Sequence, residues 1–151
     1  MNALQFNNAM KTGLYQLLLG ILNLGNITFT AGPNETSVVD TKCHDSVNSC
    51  VHLFDVNAMN FNKCMTEKYV QMGGGGSMIA IQLNPIQALD NRDSLSKALY
   101  SAMFDWVIKQ VNVSLKSNVP IESFVGILDI FGFEVFEINR FEQLCINYAS
   151  K

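Results

Sequence analysis

Charge is what this sequence has least of. Asp, Glu, Lys and Arg make up 15% of its 151 residues, against roughly 25% in an average globular protein. A chain with so few charges coats itself poorly, which suits a small oily domain or a slice of a larger protein equally well. Its ten basic and thirteen acidic residues leave a net charge of −3. No basic patch stands out, so nucleic acid is not an expected partner. Long apolar runs are also missing. The longest, Leu14 to Leu24, is broken by Gln16, Gly20 and Asn23 and is too short to span a bilayer, so no transmembrane segment is expected. No basic region opens the chain, so no secretory leader is visible. The four cysteines, Cys43, Cys50, Cys64 and Cys145, show no C-x-x-C spacing; they are expected to stay reduced, in the cytosol. His44 and His52 lie near Cys43 and Cys50, but the spacing matches no common zinc pattern, and these residues read as ordinary helical positions.

A phosphate-binding loop of the form G-x-x-x-x-G-K-[ST] is absent too. Gly20 and Gly25 have the glycine spacing, but Asn26 stands where lysine is needed and Gly20 falls inside a helical pattern. Gly73 to Ser77 holds no lysine either.

The patterning that is present alternates helices with short extended segments. Asn7 or Asn8 can cap a helix to about Asn23, with Leu14, Leu17, Leu18, Ile21 and Leu22 at helical spacing and Gly25-Asn26 as the stop. Ile27 to Thr30 reads as a short strand and Ala31 to Thr36 as a loop. Residues 44–65 suggest two short helices, with Val47, Val51, Phe54, Met59 and Phe61 turned inward. Extended segments on both sides of Gly73 to Gly76 predict a hairpin over 67–83. Asn84-Pro85 opens a long helix over 85–115, whose apolar stripe Leu95, Leu99, Ala102, Trp106 and Val113 is core-facing rather than a cofactor box. Phe124 to Leu128 is a nearly continuous apolar run ending at Asp129, the pattern of a strand buried on both faces in a parallel sheet. The fold class expected is therefore α/β. Asn139 with Glu142 makes a variant capping box for a last helix over 140–151.

The chemistry concentrates in Asp129-Ile130-Phe131-Gly132-Phe133-Glu134, at the carboxyl end of the expected strand. Open α/β sheets bind ligands at that edge. An Asp there can help hold Mg²⁺, directly or through water. Gly132 lets a backbone N–H approach a terminal phosphate with no Cβ in the way, and Glu134 adds a second carboxylate. Four residues of D-x-x-G recur often by chance, so a turn carrying a solvated Asp stands beside the functional reading.

The longer run from Gly126 to Tyr148 resembles the switch II loop of myosins running into their relay helix. Three further blocks agree in order. Leu19 to Ile27 resembles the family's G-I-L-x-L-G-N-I segment, Arg92 to Tyr100 its R-D-A-L-A-K-x-x-Y helix, and Phe104-Asp105-Trp106 with Val111-Asn112 the F-x-W…I-N that follows. Ser94 and Ser96 replace the usual alanines, and Arg140 stands where serine is common. The resemblance covers nearly the whole chain and implies an internal piece of a myosin head, from the upper 50-kDa region through switch II into the start of the relay helix. The family's phosphate loop and switch I would lie upstream.

The resemblance also implies a function and roles. The parent would be an actin-activated, Mg²⁺-dependent ATPase motor of the cytoplasmic cytoskeleton, and the 151-residue chain alone would be inactive. Asp129 would help hold Mg²⁺ through water and, with the Gly132 amide, meet the γ-phosphate of ATP. Glu134 would pair with a switch I arginine and help order the attacking water. Asn139, Phe141 and Glu142 would begin the relay. The loop Gly73, Gly74, Gly75, Gly76 and Ser77 would face the actin filament. Ser77, sixteen residues before Asp93, falls where many myosins carry Thr, Ser, Asp or Glu, which makes it a candidate phosphorylation site beside its reading as an ordinary turn serine. Light chains or calmodulin would bind only through downstream regions. Two rivals remain: another phosphate-loop NTPase sharing D-x-x-G, which would need N-K-x-D downstream, and a non-enzymatic actin-binding piece.

Overall fold

Helix α1 (Asn8–Gly25) starts where the extended Asn7 accepts a hydrogen bond from the Met10 N–H at 2.8 Å, satisfying a donor that every helix start leaves open. It runs past the expected end at Asn23, because the Asn23 amide donates back to the Leu19 carbonyl at 2.8 Å and so sits within the helix. Asn26 caps it. The structure is a computed structural model that describes residues 4–71, 78–116, 123–129 and 132–150, and the chain divides into two units, 1–116 and 117–151.

In the first unit, β1 (Phe29–Ala31) pairs antiparallel with β2 (Ser37–Val39) around a turn at Pro33–Glu35. The strand begins two residues later than Ile27. The Ile27 N–H is taken by the Leu24 carbonyl at 3.1 Å and its side chain is fully buried, while the Thr28 N–H bonds Cys43 Sγ at 3.3 Å. Helix α2 (His44–Phe54) ends at Asp55 in the left-handed conformation, and α3 (Ala58–Thr66) starts at Asn57, whose side chain accepts from Met59 and Asn60. Phe61 and Met65, one turn apart, are the buried pair of α3. Met59, expected inward, is 66% exposed; two residues from Phe61 is about 200° around a helix, on the opposite face.

Leu24, Ile27, Val47, Cys50, Phe61 and Met65 form the core, with Phe54, Leu95 and Leu99 among the partly buried residues packed on it. Gly20 is placed by this packing rather than by a ligand. A Cβ there would lie 2.2 Å from Phe54 Cε1, so only glycine lets α1 meet the Phe54 ring this closely. Burial pushes the Cys50 thiol up to about 11.

Helix α4 (Pro85–Leu115) opens with a reciprocal capping box: Asn84 Oδ1 accepts from the Gln87 N–H at 2.9 Å, and Gln87 Oε1 accepts from the Asn84 N–H at 3.1 Å. Its stripe is used in part. Leu95 and Leu99 pack on the core and Trp106 meets the Phe6 ring edge-on, but Val113 is 69% exposed.

The hairpin consists of β3 (Glu67–Gln71) and β4 (Met78–Gln82), paired from Glu67↔Gln82 to Gln71↔Met78. Both faces are largely exposed. Its root is held where the Leu83 N–H bonds the Thr66 carbonyl at 2.9 Å and the Ser37 N–H bonds the Leu83 carbonyl at 2.7 Å. The expected loop Gly73 to Ser77 lies outside the described residues.

The expected buried strand is not formed. Residues 123–129 are irregular, with Phe124 89%, Val125 94%, Ile127 94% and Leu128 85% exposed. A strand needs a hydrogen-bonding neighbour, and no described segment pairs with this one. The described residues are thus mostly helical with two small antiparallel sheets, and the parallel sheet anticipated for an α/β fold is not among them. Among its described residues the second unit contains one helix, α5 (Phe141–Ala149). Among the described residues, no helix is long and apolar enough to cross a membrane.

Candidate functional site

Two carboxamides of α5, those of Asn147 and Gln143, tie residues 134–140 to that helix, and a third, on Asn139, braces the segment itself. Asn147, half-buried on that helix, brackets Glu134: Asn147 Oδ1 accepts from the Glu134 N–H at 2.7 Å, and Asn147 Nδ2 donates to the Glu134 carbonyl at 2.8 Å. Asn139 brackets Phe136 in the same way, accepting from its N–H at 3.0 Å and donating to its carbonyl at 2.8 Å. Gln143 Oε1 then accepts from the Arg140 N–H at 2.7 Å. The helix start therefore falls one residue later than the expected box. Asn139 spends its carboxamide on Phe136, Arg140 becomes the N-cap, and Gln143 rather than Glu142 reaches back.

The remaining candidates stand apart from this network. Asp129 and Gly132 are exposed, and a Cβ at Gly132 would meet nothing within 4 Å. Phe141 is 77% exposed, and Glu142 lies in the first turn of α5, where a carboxylate complements the helix dipole. Ile130 and Phe131 lie outside the described residues, as do Gly73, Gly74, Gly75, Gly76 and Ser77. The groove at this end is lined by Phe133, Leu144, Asn147 and Tyr148, with a volume of about 220 Å³. It is largely apolar, and the carboxylates of Asp129 and Glu134 do not line it.

Part of a Mg²⁺–nucleotide site fits these residues. Mg²⁺ keeps most of its waters and takes one or two carboxylates beside the substrate phosphates. Asp129 offers such an oxygen in the open, and Gly132 leaves space beside its backbone. Among the described residues nothing supplies a phosphate cradle or a pocket for the base, and no group of three or more His, Cys, Asp or Glu gathers there.

Asn147 is the residue that pattern reading does not single out. Within the apolar run of α5 it reads as one polar position among several. The available signal is its four-residue spacing from Gln143, which sets both carboxamides on one helix face.

Comparison with known proteins covers the whole chain. Residues 1–151 match the family model described as myosin head (motor domain). The chain is 42% identical to Myosin-1 of Coprinopsis cinerea over 142 residues, 91% of this chain and 11% of the relative. It is 40% identical to Myosin-1 of Lodderomyces elongisporus over 156 aligned positions and 36% identical to Myosin-1 of Aspergillus oryzae over 154, each covering 100% of this chain and 12% of the relative. The chain thus spans about a ninth of the length of these relatives.

Proposed function

Because the chain belongs to the myosin head (motor domain) family, we propose that it works as part of an actin-based, ATP-driven cytoskeletal motor in the cytoplasm. The observation that carries the reading is the whole-length family match, and we read Asp129, Gly132 and Glu134, which precede α5 in sequence, as its switch II residues. The fold of the whole is the phosphate-loop NTPase type, and residues 124–129 join its central sheet beside strands from elsewhere in the longer protein.

Phosphoryl transfer needs positioning and electrostatic stabilisation more than covalent chemistry. Asp129 would help hold Mg²⁺, which would supply charge stabilisation at the transferred phosphoryl group. Gly132 presents its N–H to the γ-phosphate of ATP, unobstructed by a side chain. Glu134 orders the attacking water and pairs with an arginine supplied by another part of the motor. The relay begins at Asn139, Phe141 and Glu142. The Gly73–Ser77 loop meets the actin filament, and a phosphate on Ser77 would add about −1.5 to −2 charges to that contact. Alone, the 151 residues carry no phosphate loop and do not turn over ATP; light chains or calmodulin bind outside them.

The test is single-turnover kinetics on Glu134→Ala in the full-length motor. ATP binding should stay within a few-fold of wild type while hydrolysis falls about 10²–10³-fold, the loss typical of one preorganised electrostatic contact. Asp129→Ala should weaken the Mg²⁺ complex as well. Hydrolysis by Glu134→Ala within a few-fold of wild type would sink the assignment.

A further inference from the structure

We propose that the groove between the end of α3 and β3 is a redox modification site, in which Cys64 exchanges with an anionic peptide disulfide whose carboxylates meet Lys63 and Lys68. The inference goes beyond the motor reading and does not depend on it. The groove has a volume of about 410 Å³, and its lining includes Lys63, Cys64, Glu67, Lys68 and Asn91. Helix α3 ends at Thr66, and the chain turns into β3 with Glu67 extended. That corner brings Lys63 and Cys64, from the last turn of the helix, to the same groove as Lys68 on the strand.

The charges of the groove are unequally committed. Among the described residues neither lysine ammonium forms a hydrogen bond or an ion pair. Glu67, the carboxylate of the lining, has both oxygens in use: Oε2 accepts from the Tyr69 hydroxyl and Oε1 from the Gln82 amide, each at 3.0 Å. Asn91 Nδ2 donates to the Cys64 carbonyl at 2.8 Å, which ties the last turn of α3 to α4 and holds the thiol in place. Two open cations therefore stand beside one exposed thiol. In the exchange the Cys64 thiolate attacks one sulfur of the disulfide. A new S–S bond forms as the old one breaks, and the other half leaves as a thiolate that takes up the proton Cys64 lost. The disulfide is the oxidant, and no further co-reactant enters. Two exposed ion pairs formed on approach should favour a charged reagent by about three- to tenfold in rate, an advantage that salt screens.

The experiment treats the full-length motor, as wild type and as Lys63→Gln with Lys68→Gln, with two reagents in separate reactions: glutathione disulfide, which carries carboxylates, and hydroxyethyl disulfide, which is uncharged. Mass spectrometry of the peptide holding Cys64 gives the rate of adduct formation. The neutral reagent should modify Cys64 at equal rates in both proteins, which shows that the substitutions leave the thiol equally accessible. Glutathione disulfide should react about three- to tenfold faster with wild type than with the double variant. Raising the ionic strength to about 1 M should remove that difference. Equal rates with glutathione disulfide in the two proteins overturn the proposal. So does a double variant that slows both reagents alike, because the lysines then act on the thiol's exposure and not on the ligand. A Cys64 that neither reagent reaches in the full-length motor overturns it as well.

Discussion

The Arg92 guanidinium holds the Ile27 carbonyl: Nη1 lies 2.5 Å from that oxygen and 3.3 Å from the Gly25 carbonyl oxygen. Nε and Nη2 donate to Asp93 Oδ1 on the other side, which fixes the plane of the fork. A cation on α4 thus closes the C-terminal end of α1, where carbonyls lack helical partners and the dipole favours positive charge.

Arg92→Leu should destabilise the 1–116 unit by about 2–4 kcal/mol, because charge-assisted bonds are lost and the Gly25 and Ile27 carbonyls are left poorly satisfied. Arg92→Lys should recover less than half, since one ammonium cannot reproduce a fork that reaches two carbonyls and a carboxylate. Urea unfolding of the purified chain, followed by circular dichroism, reads both values. Equal stability of the Leu variant and wild type would show that the contact is idle.

Two helical glycines should respond with opposite signs. Gly13→Ala meets nothing within 4 Å and should gain up to about 1 kcal/mol from helix propensity. Gly20→Ala places a methyl 2.2 Å from Phe54 Cε1 and should cost about 1–3 kcal/mol through overpacking. Adding Phe54→Leu to Gly20→Ala should recover part of that loss. Thermal midpoints of the four proteins measured side by side check the pattern.

Cys50 makes the fold sensitive to alkali. Its thiol ionises near 9.0 when unfolded and near 11 in the fold, because burial disfavours the thiolate. Below pH 9 both states keep the proton and Cys50 contributes no pH dependence. From pH 9 to 11 the unfolded chain ionises first, so stability falls as pH rises, by about 2–3 kcal/mol in all. The difference between wild-type and Cys50→Ala unfolding curves across that window isolates the effect from other alkaline titrations. Thiol labelling at pH 8 should reach the exposed Cys64 and Cys145 well before the buried Cys43 and Cys50.

The unpaired run at 124–128 should make the isolated chain self-associate. Uncharged, β-prone residues with free backbone groups are a template for pairing with another copy. Val125→Lys with Ile127→Lys, at side chains 94% exposed, should suppress concentration-dependent association in sedimentation without lowering the unfolding midpoint. A lowered midpoint would mean that these side chains pack in the folded chain after all.

Sequence reading succeeded where the signal was local. Asn7, Asn84 and the glycines flanked by extended segments act on their nearest neighbours, and the helices and the hairpin strands lie close to where those residues place them. It missed where a partner distant in sequence decides. Ile27 and Thr28 leave β1 because Leu24 and Cys43 take their N–H groups. The run at 124–128 has the composition of a central strand, but composition cannot supply the neighbours that make it one. For the site, Asp129, Gly132 and Glu134 were readable as a motif. The bracket on Glu134 was not, because it depends on where α5 sets the Asn147 carboxamide.

The β3–β4 ribbon is fastened at Thr66, Leu83 and Ser37, and no residue of either strand is fully buried. Exchanges at outward positions such as Lys68, Val70, Ile79 and Ile81 therefore draw little on the stability of the domain, whereas changes at Leu83 draw on it directly. Selection acting on whatever the ribbon touches can rewrite its surface almost independently of folding. Across relatives the outer ribbon should drift fast in sequence while its root stays fixed, so that new contact specificities arise there without passing through unfolded intermediates in evolution.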